Sequence, residues 1–274
     1  MKVAMGQLLV EGGEPERNLE RASKMIVEAA DNACDLILLP ECLDLAWTHP
    51  SCYNEAKPVP GPHSDKLSAM ADEHGIYICA GLTEQDGDRT YNAAVLFDDS
   101  GTLLLKYRKI NVLGVALDMY DIGDRLGVVD TKFGRIGLNI CSDNYGDALD
   151  IGFVLGRMGA QLILSPSSWT VDYSVTEEDD PYADKWRQPY ERLAAMFDMT
   201  IVSATSVGTV LGGPYEGKKM VGCSLAVGPD GPLTSGGYNE FAGEIITIEF
   251  GLMPTPRRGT EVGAHLIAHG VSAG

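Results

Sequence analysis

Three residues of different chemical types each follow closely on an apolar run in this sequence. Glu41 follows LILLP, Lys109 follows TLLLKYR and Cys141 follows RIGLNI. Short apolar runs of this kind predict buried strands, and functional side chains in open α/β sheets collect at the carboxyl ends of strands. The fold can therefore bring a carboxylate, an ammonium and a thiol together from distant parts of the chain.

Together these three groups support nucleophilic catalysis. A thiol is a poor nucleophile while it is protonated, so a base must take its proton, and Glu41 is the candidate base. Lys109 can stabilise the oxyanion of a tetrahedral intermediate, helped by the backbone N–H of Ser142, and loss of one such donor typically costs on the order of 100-fold in rate. Each residue alone has an ordinary structural explanation, and it is their joint placement that favours catalysis.

The elements that must position these residues alternate between strand-like and helix-like patterns. Helix 15–31 has a clear apolar face, made of Leu19, Ala22, Met25, Ile26 and Ala29. The pattern also predicts strands 2–9, 35–39, 76–80, 161–165 and 200–206, helices 64–74, 146–158 and 184–198, and hairpins that turn at 98–101, 132–134 and 229–231. Such a mixture indicates an α/β protein with a mixed sheet, or a pair of sheets, covered by helices.

Composition and charge argue against several classes of function. A formal charge of −18 over 274 residues disfavours nucleic acid and anionic membranes as partners. The opening MKVAMGQLLVEGG lacks the cleavage site of a signal peptide, and no run approaches the ~18 apolar residues of a membrane span. The six cysteines form no C-x-x-C pair, so we expect neither a metal nor a cofactor. We expect a cytoplasmic protein with reduced thiols.

The motifs resemble the nitrilase superfamily of carbon–nitrogen hydrolases. The resemblance lies in LLPECL, KYRKINV and GRIGLNICSDN, with GCSLAVGPDGP later, and it extends in the same order over about residues 1–250. It implies an αββα sandwich of two mixed β-sheets flanked by helices, a Glu41–Lys109–Cys141 triad, and a homodimer or higher homo-oligomer packed helix to helix. Residues 251–274 are predicted to form a tail that packs on this domain or on a partner subunit.

Two departures from the family pattern affect the residues around the triad. Family members commonly carry a second glutamate between the lysine and the cysteine, and the nearest carboxylate here is Asp118, one methylene shorter. The Arg-Ala-x-Glu-Asn run of the family is replaced by LAAMF at 193–197. Asp118 is therefore a candidate supporting residue, together with Ser142.

The residues after the nucleophile bear on the substrate. Ser142-Asp143 is similar to the amidase and carbamoylase branches, whereas nitrile-cleaving members tend to carry Trp-Glu. We expect hydrolysis of a small carboxamide or N-carbamoyl amine by water, through a covalent acyl-enzyme on Cys141. Candidates for the substrate pocket are Trp47, Tyr53, Asn144, Tyr145 and Trp169.

Three alternatives remain open from the sequence. The chain can be a nitrilase acting on a small nitrile, or a catalytically silent member that serves as a binding or assembly subunit. It can also be a histidine-assisted cysteine hydrolase of another fold, although none of its histidines follows an apolar strand; they are His49, His63, His74, His265 and His269.

Overall fold

Two six-stranded mixed β-sheets pack face to face in the computed structural model, which describes residues 1–179, 182–238, 243–254 and 269–270. The strands of the first sheet are β1 (Lys2–Gln7), β2 (Leu36–Leu38), β3 (Tyr77–Asp86), β4 (Arg89–Phe97), β5 (Leu103–Arg108) and β15 (Glu244–Glu249). Their spatial order is β15-β1-β2-β3-β4-β5, with β1, β2 and β3 parallel to one another and the other pairs antiparallel.

The second sheet has the same mixed character. Its strands are β6 (Val128–Asp130), β7 (Arg135–Leu138), β8 (Leu162–Ser167), β10 (Thr200–Thr205), β13 (Leu225–Gly228) and β14 (Gly231–Ser235). They lie in the order β14-β13-β10-β8-β7-β6, with β7, β8 and β10 parallel. A small third sheet contains β9 (Thr170–Val171), β11 (Val207–Thr209) and β12 (Lys219–Val221).

Helices cover the outer face of each large sheet. The helices are α1 (Pro15–Asp31), α2 (Cys52–Glu55), α3 (Pro62–His74), α4 (Asp150–Arg157) and α5 (Gln188–Phe197). The apolar face of α1 packs with α3 on the first sheet, and α4 and α5 pack on the second. The αββα sandwich predicted from the sequence is confirmed.

The side chains of β1 point alternately into two different hydrophobic cores. Val3 and Met5 are fully buried in the core that the two sheets share, whereas Ala4 lies in the core beneath the helices. Successive side chains of a strand point to opposite faces, so a strand buried on both faces consists of a continuous apolar run. For this reason the sequences of the predicted strands show little alternation between polar and apolar residues.

Several elements differ from the prediction: helix α2 and the small third sheet of β9, β11 and β12 were not predicted. Strand β15 was not predicted, and it pairs antiparallel with β1 from Lys2↔Glu249 to Gln7↔Glu244. The helix predicted over 184–198 begins instead as a π-helical turn, Ala183–Arg187, and becomes α-helical at Gln188. Pro189 has no backbone N–H to donate to the preceding turn, which explains why the regular helix starts there.

Residues 251–254 and 269–270 are the described part of the predicted tail, and the rest of it lies outside the described residues. Gln161 Nε2 donates to the carbonyl of Met253 at 2.7 Å, so this part of the tail contacts the domain. None of the helices in the described ranges is long and apolar enough to cross a membrane.

Candidate active site

The three predicted catalytic residues lie where three strands end. Glu41 follows β2, Lys109 follows β5 and Cys141 follows β7, so the two sheets supply them from both sides of their shared core. The backbone N–H of Glu41 donates to the carbonyl of Ser167, at the end of β8 in the opposite sheet, at 3.3 Å. This contact fixes the base relative to the sheet that carries the nucleophile.

Glu41 and Lys109 form a buried ion pair. Lys109 Nζ lies 2.7 Å from Glu41 Oε1, and the two side chains are 2% and 0% exposed. Asn92 Nδ2, on β4, donates to the same oxygen at 2.6 Å. Glu41 Oε2 has no hydrogen-bond partner among the described residues. One carboxylate oxygen is thus held in place by two donors, and the other is available to accept a proton.

Glycine at position 81 allows this close packing around Glu41. A Cβ atom added to Gly81, on β3, would lie 2.5 Å from Glu41 Cα and 2.8 Å from the carbonyl oxygen of Pro40. Such distances are well below van der Waals contact, so a side chain there would displace the backbone that carries the base. The backbone N–H of Gly81 also donates to the carbonyl of Pro40 at 3.0 Å.

Cys141 begins a short 3₁₀ turn, Cys141–Asn144, in an unusual backbone conformation. Its φ is +45°, in the left-handed region that few non-glycine residues adopt. Cys141 is 4% exposed, and its thiol donates to the carbonyl of Ser168 at 3.9 Å. A strained nucleophile at a strand-to-turn junction is typical of functional sites, because the surrounding contacts must hold it there.

Electrostatics define the resting protonation states of the nucleophile and the lysine. Burial raises the pKa of the Cys141 thiol well above its usual range, the charge of Glu41 raises it further, and the Lys109 ammonium lowers it in part. Burial lowers the pKa of Lys109, but Glu41, Cys141 and Asp143 outweigh burial and raise it. Burial therefore favours the neutral thiol and the nearby charges favour the protonated lysine, so the thiol needs a base before it can attack.

The residues after Cys141 anchor its turn. Asp143 is fully buried and accepts hydrogen bonds from Tyr107 Oη and the Ile140 N–H, both at 2.8 Å, and from the Asn111 N–H at 2.9 Å. Ser142 Oγ donates to the Asn111 carbonyl at 2.7 Å. Two residues of this turn thus bind the chain just beyond Lys109.

Asn144, a predicted pocket residue, acts as a buried anchor of the same turn. Its Nδ2 donates to Asn139 Oδ1 at 3.0 Å, to Ser165 Oγ at 2.9 Å and to Tyr190 Oη at 3.4 Å. Asn139 Nδ2 donates back to Asn144 Oδ1 at 2.6 Å. All of these groups are buried, so the amide stabilises the turn from within the core.

Two of the predicted pocket aromatics, Tyr145 and Trp169, belong to one cluster of contacting rings. Tyr145 contacts Trp186 edge to face, with ring centroids 4.7 Å apart, and Trp186 stacks on Trp169 at 4.9 Å. Trp169 also contacts Tyr182, at 5.0 Å between centroids. Trp169, Tyr182 and Trp186 line a cavity of about 210 Å³.

The other two predicted pocket aromatics lie elsewhere. Trp47 packs in a separate core cluster and contacts Tyr215 at 5.3 Å between ring centroids. Tyr53 is 54% exposed, and its hydroxyl donates to the backbone carbonyl of Asp118 at 3.3 Å.

The position of Asp118 argues against the supporting role expected for it. Asp118 is exposed at the surface, whereas Lys109 is fully buried. The carboxylates that act on the Lys109 ammonium are Glu41 and Asp143. Asp143, in the turn of the nucleophile, is therefore the second buried carboxylate close enough to act on Lys109, whereas Asp118 is exposed.

Sequence reasoning missed Asn92, Ser168, Tyr182 and Trp186, and took Asp143 only as an indication of substrate. Asn92 is a polar residue at the start of the apolar run AAVLF, and this was a signal that could have found it. The described residues contain no group of three or more His, Cys, Asp or Glu side chains arranged to hold a metal ion.

Comparison with known proteins gives matches over most of the chain. The model of the carbon–nitrogen hydrolase family matches residues 2–252. An omega-amidase from Xenopus tropicalis is 29% identical over 180 residues, which cover 62% of this chain and 64% of that protein. A protein from Pyrococcus abyssi described as a nitrilase is 33% identical over 180 residues, covering 64% of this chain and 67% of its own length.

Solved structures share the fold. An amidase variant from Nesterenkonia sp. AN1, with acrylamide added at its active-site cysteine, superposes with a TM-score of 0.77 and 20% sequence identity. That superposition covers 91% of this chain and 93% of the amidase chain.

Proposed function

This chain belongs to the carbon–nitrogen hydrolase family, and on that premise we propose that it hydrolyses a small carboxamide or N-carbamoyl amine through Cys141. The arrangement of Glu41 is the observation that carries this proposal. Its Oε1 accepts from Asn92 and Lys109, while Oε2 has no partner among the described residues. The carboxylate is thus fixed in orientation with one oxygen left to exchange protons.

In the acylation step, Glu41 takes the proton of Cys141 as the sulfur attacks the carbonyl carbon of the substrate. The carbonyl oxygen becomes an oxyanion, which the Lys109 ammonium stabilises together with the backbone N–H of Ser142. Glu41 then returns the proton to the departing nitrogen, and the carbon–nitrogen bond breaks. A carboxamide leaves ammonia and a thioester on Cys141, and an N-carbamoyl amine leaves the free amine and an S-carbamoyl group (a thiocarbamate) on Cys141.

In the deacylation step, Glu41 accepts a proton from water as the water oxygen attacks the thioester or the thiocarbamate. A second oxyanion forms next to Lys109, and its collapse releases the acid and returns the proton to the Cys141 sulfur. A carboxamide gives a carboxylic acid and ammonia. An N-carbamoyl amine gives the free amine and a carbamic acid, which decomposes to carbon dioxide and ammonia.

Buried aromatic side chains support a small substrate. The cavity of about 210 Å³ beside Trp169 has room for one group of roughly the size of benzene, which fits an engineered cavity of about 150 Å³ in another protein. None of Glu41, Lys109 and Cys141 lines this cavity, and its link to the site is that Trp169 directly follows Ser168, whose carbonyl accepts from the Cys141 thiol. We propose that the non-reacting part of the substrate extends from Cys141 towards Trp169. Small amides with a compact side chain fit such a space better than extended peptides do.

A nitrilase activity is the second candidate, because the Pyrococcus abyssi relative carries that description. The test is ammonia release from matched pairs, such as propionamide with propionitrile and benzamide with benzonitrile, with N-carbamoyl-β-alanine alongside. We expect a higher kcat/KM for the amide of each pair. A higher kcat/KM for the nitrile would overturn the proposed substrate class.

A silent binding subunit is disfavoured by the same geometry. A buried carboxylate, ammonium and strained thiol are costly to hold together, and a binding role has no use for them. Absence of any ammonia release by the wild-type protein from amides, carbamoyl amines and nitriles would favour the silent alternative.

We also propose a homo-oligomer acting in the cytoplasm. The resemblance to the family implies subunits packed helix to helix, and such packing would cover Val154 on α4, which is 41% exposed. Cys34, Cys42, Cys52, Cys79 and Cys141 form no disulfide, which suits a reducing compartment. A single monomeric mass in light scattering at micromolar concentration would contradict the oligomer.

A further inference from the structure

The turn that carries Cys141 binds the chain segment that carries Lys109 through two adjacent residues. Asp143 Oδ1 accepts from the Asn111 N–H at 2.9 Å, and Ser142 Oγ donates to the Asn111 carbonyl at 2.7 Å. The backbone N–H and the backbone carbonyl of Asn111 are therefore both hydrogen-bonded by the two residues that follow the nucleophile. Asn111 is only two residues beyond Lys109.

Asp143 has two further contacts that complete the connection. Its Oδ2 accepts from Tyr107 Oη at 2.8 Å, two residues before Lys109, and from the Ile140 N–H at 2.8 Å, one residue before Cys141. The Tyr107 hydroxyl also accepts from the Ile110 N–H at 3.0 Å. One buried carboxylate thus contacts the chain on both sides of the lysine and immediately ahead of the nucleophile.

We infer that Asp143 is a positioning residue that fixes Lys109 relative to Cys141 and supplies a second counter-charge to the lysine. The inference rests on the proposed function, because it concerns the distance between the cation and the reacting sulfur. Asp143 fills the place expected for Asp118, which lies exposed on the surface. It acts through Lys109 and the backbone, and no contact with substrate is required of it.

The charge of Asp143 matters beyond its hydrogen bonds. Three charged or ionisable groups act on the Lys109 ammonium: Glu41 from the end of β2, and Cys141 and Asp143 from the turn after β7. Each of them raises the pKa of Lys109, while burial lowers it. Replacing Asp143 by a neutral amide of the same shape removes one of these charges, so Lys109 will lose its proton at a lower pH.

The experiment compares Asp143→Asn with Tyr107→Phe and Ser142→Ala in amide hydrolysis. Tyr107→Phe removes one hydrogen bond to Asp143 but keeps its charge, and Ser142→Ala keeps the backbone N–H of the turn. We expect Asp143→Asn to lower kcat about 100-fold with KM nearly unchanged, as expected when a catalytic group is misplaced by about 1 Å. The high-pH limb of kcat/KM will move to lower pH in Asp143→Asn and stay in place in both other variants.

Three results would overturn the inference. The first is a kcat of Asp143→Asn close to wild type. The second is a lowered kcat with an unmoved high-pH limb, which would make Asp143 a structural residue only. The third covers the case in which Asp143→Asn does not fold: an Asp143→Glu variant, which keeps the charge but moves the carboxylate by one methylene, would then exclude the positioning role if its kcat were that of the wild type.

Failure of the proposed function would be seen separately. If the wild-type protein releases no ammonia from any amide or carbamoyl amine, the substrate assignment fails. The positioning role is then tested by the rate at which iodoacetamide alkylates Cys141. Because the Lys109 ammonium lowers the pKa of that thiol, a displaced lysine should slow alkylation in Asp143→Asn. An unchanged rate would overturn the inference independently of the substrate.

Discussion

The ammonium of Lys109 lies 2.7 Å from Oε1 of Glu41, and neither side chain is more than 2% exposed. Two charges buried this fully must compensate each other, because removing one leaves the other without a partner in a medium of low polarity. The pair therefore links the catalytic chemistry to the stability of the fold.

Glu41→Gln should destabilise the protein as well as stop acylation. It keeps the shape of the side chain but leaves the Lys109 ammonium without its hydrogen-bonded counter-charge, at a cost of about 3–5 kcal/mol in the free energy of unfolding. The double variant Glu41→Gln/Lys109→Met should recover much of this stability and none of the activity. Urea unfolding of the three proteins measures the effect, and a double variant less stable than Glu41→Gln would contradict it.

Cys141→Ala should abolish turnover and leave the fold intact. Removing the nucleophile of a covalent mechanism typically lowers kcat on the order of 10⁴-fold or more. Cys34→Ala is the matched control, because Cys34 is also buried but lies between α1 and β2, in the core beneath the helices. Ammonia release checks both variants, and a Cys141→Ala protein that works at the wild-type rate would refute the assignment.

Gly81→Ala should displace the base without touching substrate. The added methyl would lie 2.5 Å from Glu41 Cα, so the backbone of Glu41 must move. We expect a fall in kcat of about 100-fold, in line with a 1 Å misplacement. Gly251→Ala is the control, since a Cβ there has no neighbour within 4 Å. Equal kcat values for the two variants would show that this close approach has no functional role.

Alkaline pH should destabilise the protein through its buried thiols. Burial raises the pKa of Cys52 to about 11 and raises that of Cys79 further. In the unfolded chain a thiol ionises near pH 8.5, so above that pH the unfolded state binds fewer protons than the folded state. The contribution of these thiols to the free energy of unfolding is therefore fully present below about pH 8.5. It declines as the pH rises towards the pKa values of the thiols in the folded protein.

Thermal melts from pH 7 to pH 10.5 measure this decline. Cys79→Ala should lower Tm at neutral pH, because it leaves a small cavity, but its Tm should fall less steeply with rising pH. A slope equal to that of the wild-type protein would mean that Cys79 does not contribute.

The sequence predicted those features that depend on short continuous patterns. The apolar runs before Glu41, Lys109 and Cys141 are local, so the strands and the convergence of the three residues followed from them. The face of α1 followed from its 3.6-residue periodicity. The expected sandwich came from the resemblance, and the packing of two sheets agrees with it.

The supporting residues could not be predicted in the same way. Asp143 and Asp118 are the same residue type near the same motifs, and only the three-dimensional path of the chain buries one and exposes the other. Trp47 and Trp169 both follow motif strands, yet Trp47 packs in a separate cluster. Edge strand β15 was missed because its half-exposed side chains depend on a partner at the other end of the chain.

The pairing of β15 with β1 bears on how the protein is made. The sheet that carries Glu41 and Lys109 is completed by residues 244–249, and the amino group of Met1 donates to the carbonyl of Phe250 at 2.8 Å. During synthesis, β1 leaves the ribosome long before residues 244–249 do, so its edge stays uncovered in the interval. Exposed edges of this kind invite pairing with other chains. A nascent chain stalled before residue 244 would therefore be prone to aggregation, even with all three catalytic residues already synthesised.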